Sequence, residues 1–370
     1  GEYDYYMKPE MKGHFMLNAW YFGGGCRKVF GQGTVAYNPT HLHNCMAKRI
    51  DVKNPRIFFG TAAPMDKSGC LNLSLGIMVE KDAIENADLV VIEVNENLPR
   101  THGDTLIHIR DVDVIVENHR PVPALPSVVP TDKDKLIGQY IAELVEDGST
   151  IQLGIGGIPN AAALFLADKR DLGVHTEMLS DAIVDLVEAG AITGREKTIW
   201  KDKIVATFAF GSKKLYDFIH DNPMIEMQRG SVVNDPYVVG QNHKMVSINT
   251  TLQVDLFGQC CSEAIGFRQY SGSGGAADTA AGAQKSKGGK SIMALYSTVK
   301  EDSLSSIVPV LSPGAAVTLS RNDVDYVVTE YGIASLRGTN LAERVKRLSA
   351  VAHPKFRDML LEEAKKMQLC

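Results

Sequence analysis

The sequence predicts an α/β protein, and three observations predict it. Short apolar strands alternate with amphipathic helices, as at residues 89–95 and 132–145, the rhythm of sheets flanked by helices. A glycine-rich turn joins a strand to a helix near residue 155, the kind of junction at which such sheets bind ligands. Four prolines in residues 121–130 exclude a helix there and suit an extended connection. A chain of 370 residues has room for two cores. Two open α/β domains are therefore expected, residues 1–126 and 127–370.

Taken in order, Trp20-Tyr21-Phe22 leads into Gly23-Gly24-Gly25, a loop signal. Residues 56–60 read as a buried strand, and residues 70–75 alternate like another. A helix is expected over 82–88 and a strand over 89–95. Past the proline-rich stretch, Ile137, Tyr140, Ile141, Leu144 and Val145 recur at helical spacing. Further strands are expected at 204–211, 245–249, 252–256, 291–295 and 326–330. Helices are expected at 183–189, 214–220, 341–350 and 354–367. No repeat of fixed period and no low-complexity tract interrupts the chain.

The most informative stretch is residues 150–185. Ile151, Leu153 and Ile155 alternate along a strand that runs into Gly154-Ile155-Gly156-Gly157-Ile158-Pro159. A helix is expected from Asn160, its cap, through Leu166. Such a turn lets a ligand approach the main chain and leaves N–H groups free near a helix start, where negative charge is favoured. A second strand then carries His175 and Glu177. A phosphate-bearing ligand beside a carboxylate is the chemistry this pattern suits.

Bulk properties exclude several classes. The net charge of −5 argues against nucleic-acid binding, which needs a basic footprint. No apolar run approaches the length of a membrane span, and the opening residues do not read as a signal peptide. The six cysteines show no metal-ligand spacing, so no metal is expected and a reducing cytoplasm is the simplest location.

Each candidate has a plainer reading beside it. The first glycine turn has Pro159 where a dinucleotide fingerprint has its third glycine, which disfavours a nicotinamide oxidoreductase. A plain strand–helix turn is the other reading, but a second glycine loop at residues 271–278 suggests two sides of one long ligand. Glu177 could instead be a solvated carboxylate or a lysine partner. His175 reads as a hydrogen-bonded structural histidine more readily than as a base. His41 and His43 have spacing a metal could use, yet without a third ligand a surface loop is the better reading. Asp104 and residues 95–97 follow strands, where loop polarity explains them equally well. Lys285, Lys287, Lys290 and Lys300 could meet phosphates or simply be solvated.

Six segments then combine: EVNENLPRTHGDTLIH (93–108), QLGIGGIPNA (152–161), LGVHTEMLSDAIVDLVEAG (172–190), FGSKKLYDF (210–218), RQYSGSGGAAD (268–278) and YVVTEYGIASLRG (326–338). Together they resemble the class I coenzyme A transferases, in the acetyl-CoA hydrolase/transferase branch that includes 4-hydroxybutyrate and butyryl-CoA:acetate CoA-transferases. The resemblance covers nearly the whole chain. It implies a NagB/RpiA/CoA-transferase-like fold, with the active site between two domains. It also implies that Glu177 is the nucleophile, forming a glutamyl-CoA thioester in a ping-pong exchange. It implies that Gln152, Leu153, Gly154, Ile155 and Gly156 form the CoA-binding loop, and that Ser271, Gly275 and Lys300 contact CoA. Members of the family begin several tens of residues earlier, so the first domain is expected to lack its opening strand and loop.

The expected function is CoA transfer between a short-chain acyl-CoA and a carboxylate such as acetate. Coenzyme A is then substrate, with no permanently bound cofactor, no nucleic-acid or membrane partner, and a homodimer or larger homo-oligomer as the assembly. Acyl-CoA hydrolysis is the nearest alternative, and a non-catalytic CoA-binding sensor is the alternative from another class. At the unperturbed glutamate pKa of about 4.3, Glu177 would be ionised at neutral pH without a base. Main-chain N–H groups in residues 152–156 could hold the oxyanions.

Overall fold

The computed structural model describes residues 5–126 and 128–370. Ser127, within the proline-rich stretch, and the opening residues 1–4 lie outside it. The larger element is an eight-stranded sheet. Its spatial order is Ile225–Met227, Ile204–Ala209, Gly173–Leu179, Thr150–Leu153, Met245–Thr250, Lys290–Ala294, Tyr326–Thr329 and Gly332–Ser335. Every neighbouring pair is parallel except the last, a hairpin. Strands buried on both faces read as continuous apolar runs; Ile151, Leu153, Val174, Ile204, Val246, Ile248 and Ile292 are all buried.

The winding of this sheet locates the site. From Thr150–Leu153 the chain adds three strands outward on one side, then returns to place Met245–Thr250 on the other side. The order therefore reverses between these two strands. Loops leaving their C-terminal ends part in opposite directions and open a crevice there, where ligands of open α/β sheets bind.

Helices flank the sheet. Asp132–Leu144 starts with a capping box: Asp134 N–H donates to the Thr131 hydroxyl, and the Asp134 carboxylate accepts Thr131 N–H at 2.8 Å. Such a cap contributes about 1 kcal/mol. The amphipathic face read from the sequence is the one that packs, with Ile137 and Ile141 fully buried.

In the N-terminal part a three-stranded parallel sheet places Leu89–Val94 between Ile57–Ala62 and Val114–Glu117. The first two strands match expectation. Val114–Glu117 carries no burial signal, because all four of its residues are exposed. The strand expected over 70–75 stops at Asn72, since Ser74 turns with φ of +61°. The glycines Gly23–Gly25, read as a loop signal, instead cap and open the helix Gly24–Val29. The helix expected over 82–88 is Glu80–Ile84.

One boundary near the site is corrected. The helix after the first glycine turn is Gly157–Leu166 and is capped by Gly156, not Asn160. Pro159 sits in its first turn, where its missing N–H has no helical acceptor to lose. The Asn160 side-chain amide instead donates to the Val128 carbonyl at 3.0 Å. The six cysteines are free thiols, including the adjacent Cys260 and Cys261. Among the described residues no helix is long and apolar enough to cross a membrane.

Candidate active site

Glu177 lies near the C-terminal end of Gly173–Leu179. It faces a cavity of about 600 Å³ at the reversal point of the sheet. Gln152–Ile155 and Ile248–Thr250 line the cavity from the two diverging strands, and Ser271–Ala276 from the second glycine loop. Trp20, Tyr21, Thr40 and Leu42 close it from the N-terminal part, and Met178, Phe208 and Phe210 make it largely apolar.

In this setting a carboxylate is poorly solvated. Burial pushes the Glu177 carboxyl up to about 7, and the nearby Asp278 adds to the rise. Two donors oppose it. Asn234 Nδ2 donates to Glu177 Oε2 at 3.2 Å, and the Gly275 main-chain N–H donates to the same carboxyl. Enclosure thus moves the Glu177 carboxyl towards neutral pH, well above the ordinary value on which full ionisation was expected.

Asn234 is held in place from two sides. It caps the short helix Gly230–Val233 and is fully buried. On the sheet side, His175 shares a face with Glu177, two residues along the strand. His175 Nε2 donates to the Val233 carbonyl at 2.8 Å. On the other side Arg229 meets Asp82, Glu85 and Asp104 with N–O distances of 2.5–2.8 Å. These partners lie in the N-terminal part, so the ion-pair network ties the two parts together just behind the site. Burial pushes the His175 imidazole down to about 3, so it is a neutral donor and not a base.

The second loop is fixed from the N-terminal part as well. Ser273 Oγ donates to the Thr40 carbonyl at 3.0 Å, and Phe22 N–H donates to the Ser271 carbonyl. Arg27 Nε donates to the Tyr270 carbonyl while its guanidinium stacks 3.8 Å from the Tyr270 ring.

The acetyl-CoA hydrolase/transferase family models match this chain twice: the N-terminal domain over residues 2–126 and the C-terminal domain over 211–364. The 4-hydroxybutyrate coenzyme A transferase of Clostridium kluyveri is 47% identical over 98% of this chain and 84% of its own length. The chain belongs to the acetyl-CoA hydrolase/transferase family. The butyryl-CoA:acetate CoA-transferase of Anaerostipes caccae is 39% identical, covering 96% of this chain and 82% of that protein. The crystal structure of RipA from Yersinia pestis superposes with a TM-score of 0.93 at 37% identity, covering 98% and 84% of the two chains. Within its family the chain falls with the CoA-transferases, and its α/β fold is theirs.

In this CoA-transferase the predicted residues have distinct fates. Gln152, Leu153, Gly154 and Ile155 line the cavity beside Glu177; Ser271 and Gly275 line it from the opposite loop. Gln152 and Leu153 still pair in the sheet with Ser247 and Ile248. The Gln152 carboxamide oxygen accepts from Ile248 N–H at 3.1 Å and from Asn249 Nδ2 at 3.2 Å. Gly156 caps the following helix and lines a neighbouring apolar groove instead. Lys300 does not line the cavity; it is exposed at a hairpin tip after Thr298–Val299. Lys290 pairs with Glu146 at 2.8 Å, and Lys285 stands over the Tyr237 ring.

Two functional neighbours, Asn234 and Asp278, escaped the sequence reading, and Gly275, read there as a CoA contact, also reaches Glu177. Asn234 and Gly275 are the donors on Glu177. Asp278 is the third group that His41 and His43 had lacked: both histidines turn their Nδ1 atoms to its carboxylate. Among the described residues no cluster of three or more such side chains could hold a metal ion.

Proposed function

We propose that the chain transfers CoA between a short-chain acyl-CoA (butyryl-, 4-hydroxybutyryl- or acetyl-CoA) and a carboxylate such as acetate, with Glu177 as nucleophile. The reading rests on one observation above the others. A carboxylate with two N–H donors faces an apolar cavity between two glycine loops. The names of the relatives supply the substrate class.

The steps balance without a metal or redox partner. Ionised Glu177 attacks the thioester carbonyl, the C–S bond breaks, and a mixed anhydride and the CoA thiolate result. The thiolate then attacks the glutamyl carbonyl, expelling the first carboxylate and leaving a glutamyl-CoA thioester. The acceptor carboxylate attacks that thioester, releasing thiolate and forming a second anhydride. Thiolate attack on the acceptor acyl carbon then gives the new acyl-CoA and restores Glu177.

Asn234 and Gly275 serve this chemistry in both directions. Their N–H groups meet Glu177 oxygens as carboxylate and again when its carbonyl becomes a tetrahedral oxyanion. The raised carboxyl keeps Glu177 nucleophilic, since a less stabilised anion is more reactive. The glycine loops supply main-chain approach for CoA, whose distant nucleotide end can contribute positioning energy.

The test is covalent capture. The protein is incubated with butyryl-CoA, treated with borohydride or hydroxylamine, and its peptides are mapped by mass. Modification is expected on the peptide carrying Glu177 and should vanish in Glu177→Gln. Turnover by Glu177→Gln comparable with the parent would refute the assignment.

A further inference from the structure

Asp278 is an unusual neighbour for a reacting carboxylate. It lies in the first turn of the helix Ala276–Lys285, three residues after the Gly275 donor, and is 1% exposed. A bare anion there would repel ionised Glu177. The compensation comes from far away in sequence. His43 N–H donates to Asp278 Oδ2 at 3.0 Å, and His43 Nδ1–H donates to Oδ1 at 2.8 Å. The two residues are 235 positions apart. His41 Nδ1 stands 3.3 Å from Oδ1 but is mostly exposed, with a side chain 57% accessible against 25% for His43.

We propose that His43 is a positioning residue for the transfer reaction: by its two bonds it orients and compensates the buried Asp278 carboxylate, and so governs the charge and placement of Glu177. The inference rests on the functional reading above. The bidentate grip on Asp278 also fixes the start of its helix, and with it the Gly275 N–H one residue before that helix. A histidine suits the task because its rigid ring and its own main-chain N–H reach one carboxylate oxygen each.

The charged and titratable groups around this pair are few. Asp278 faces His41 and His43 from residues 41–43, Cys45 from the adjoining helix Cys45–Val52, and Glu177 from the sheet. Burial pushes the Cys45 thiol up to about 11, so it brings no charge at neutral pH. Glu177 faces Asn234, Gly275 and Asp278, with neutral His175 further along its own strand.

The experiment follows the pH dependence of covalent capture on Glu177 and of kcat/KM in the full chain, using butyryl-CoA and acetate. In His43→Ala the acid limb of both profiles should move up by about one pH unit. His43→Ala with Asp278→Asn should bring the limb back to or below the wild-type position, because the uncompensated charge is gone. His43→Asn, which keeps an N–H donor near the Nδ1 position, should retain most of kcat at high pH. A merely structural clamp would lower folded fraction and kcat without moving the limb. Capture in wild type with an unmoved limb in folded His43→Ala overturns this inference alone. So does a limb shared by the single and the double variant. No capture in wild type at any pH overturns the functional reading and this inference with it.

Discussion

The two glycine loops look alike in sequence and differ in what their glycines face. In the first, Gly154 has no atom nearer its missing Cβ than Pro159 Cγ at 3.9 Å, and Gly156 has none within 4 Å. Those two glycines are open, as suits main chain offered to a ligand, whereas a Cβ on Gly157, already in the helix, would lie 2.5 Å from Asp134 Oδ2. In the second, a Cβ on Gly272 would lie 2.3 Å from the Trp20 carbonyl oxygen. One on Gly275 would lie 2.1 Å from both Glu177 Oε2 and Asn234 Nδ2. Those two glycines are closed against the protein itself, while Gly274 between them keeps ordinary contact with Glu177 at 3.9 Å. The same residue type thus leaves open space in one loop and permits close protein approach in the other, and only the second bears directly on Glu177.

Substitutions can break this contrast. The largest effect is expected from Gly275→Ala, which must displace either Glu177 or its Asn234 donor. Exchange should fall by about 100-fold or more while the fold persists, as measured by steady-state rates alongside circular dichroism. Near-normal turnover would show that the second loop does not set the position of Glu177.

Next is the pH dependence of stability. The Glu177 carboxyl rises from the ordinary 4.5 to about 7 on folding, so the unfolded chain releases this proton more readily. The associated stability is complete below about pH 4.5 and is lost as pH rises through 7. Glu177→Gln should therefore be more stable than the parent at pH 8, by an amount on the order of 2–3 kcal/mol, and equal to it near pH 4. Denaturant melts at the two pH values measure this; equal gaps at both would mean the carboxyl is not desolvated.

Gly272→Ala meets main chain, which cannot swing aside as a side chain can. A loss of about 1–3 kcal/mol is expected, visible as a lower Tm. Gly156→Ala has open space but a φ of +117°; a cost of about 1–2 kcal/mol from backbone strain should appear without any clash. The smallest effect on stability belongs to Gly154→Ala, within about 0.5 kcal/mol. It should raise KM for acyl-CoA while leaving Tm in place, and an unchanged KM would remove the first loop from CoA binding.

Much of the fold was legible because its signals are local. The strands at Thr150–Leu153, Gly173–Leu179 and Ile204–Ala209 are buried apolar runs, and periodicity finds such runs. The proline-rich stretch and the helical spacing of apolar residues over 132–145 are also local. Val114–Glu117 was missed because its residues are exposed and so carry no burial pattern. The start of the helix at Gly157 was missed because glycine and proline usually mark a turn, and here they begin a helix.

The site divides the same way. Sequence by itself determined the α/β class, the open glycine turn, the second glycine loop and the strand bearing Glu177, since each depends on neighbours within one element. Tertiary structure alone decided what surrounds that carboxylate. Asn234 lies 57 residues from Glu177, and His43 reaches Asp278 across 235. No periodicity links positions so far apart. They meet because the sheet reverses its winding between Thr150–Leu153 and Met245–Thr250 and the N-terminal part packs over the opening. The raised carboxyl of Glu177 follows from that enclosure, because desolvation is a property of the assembled cavity and not of the residue.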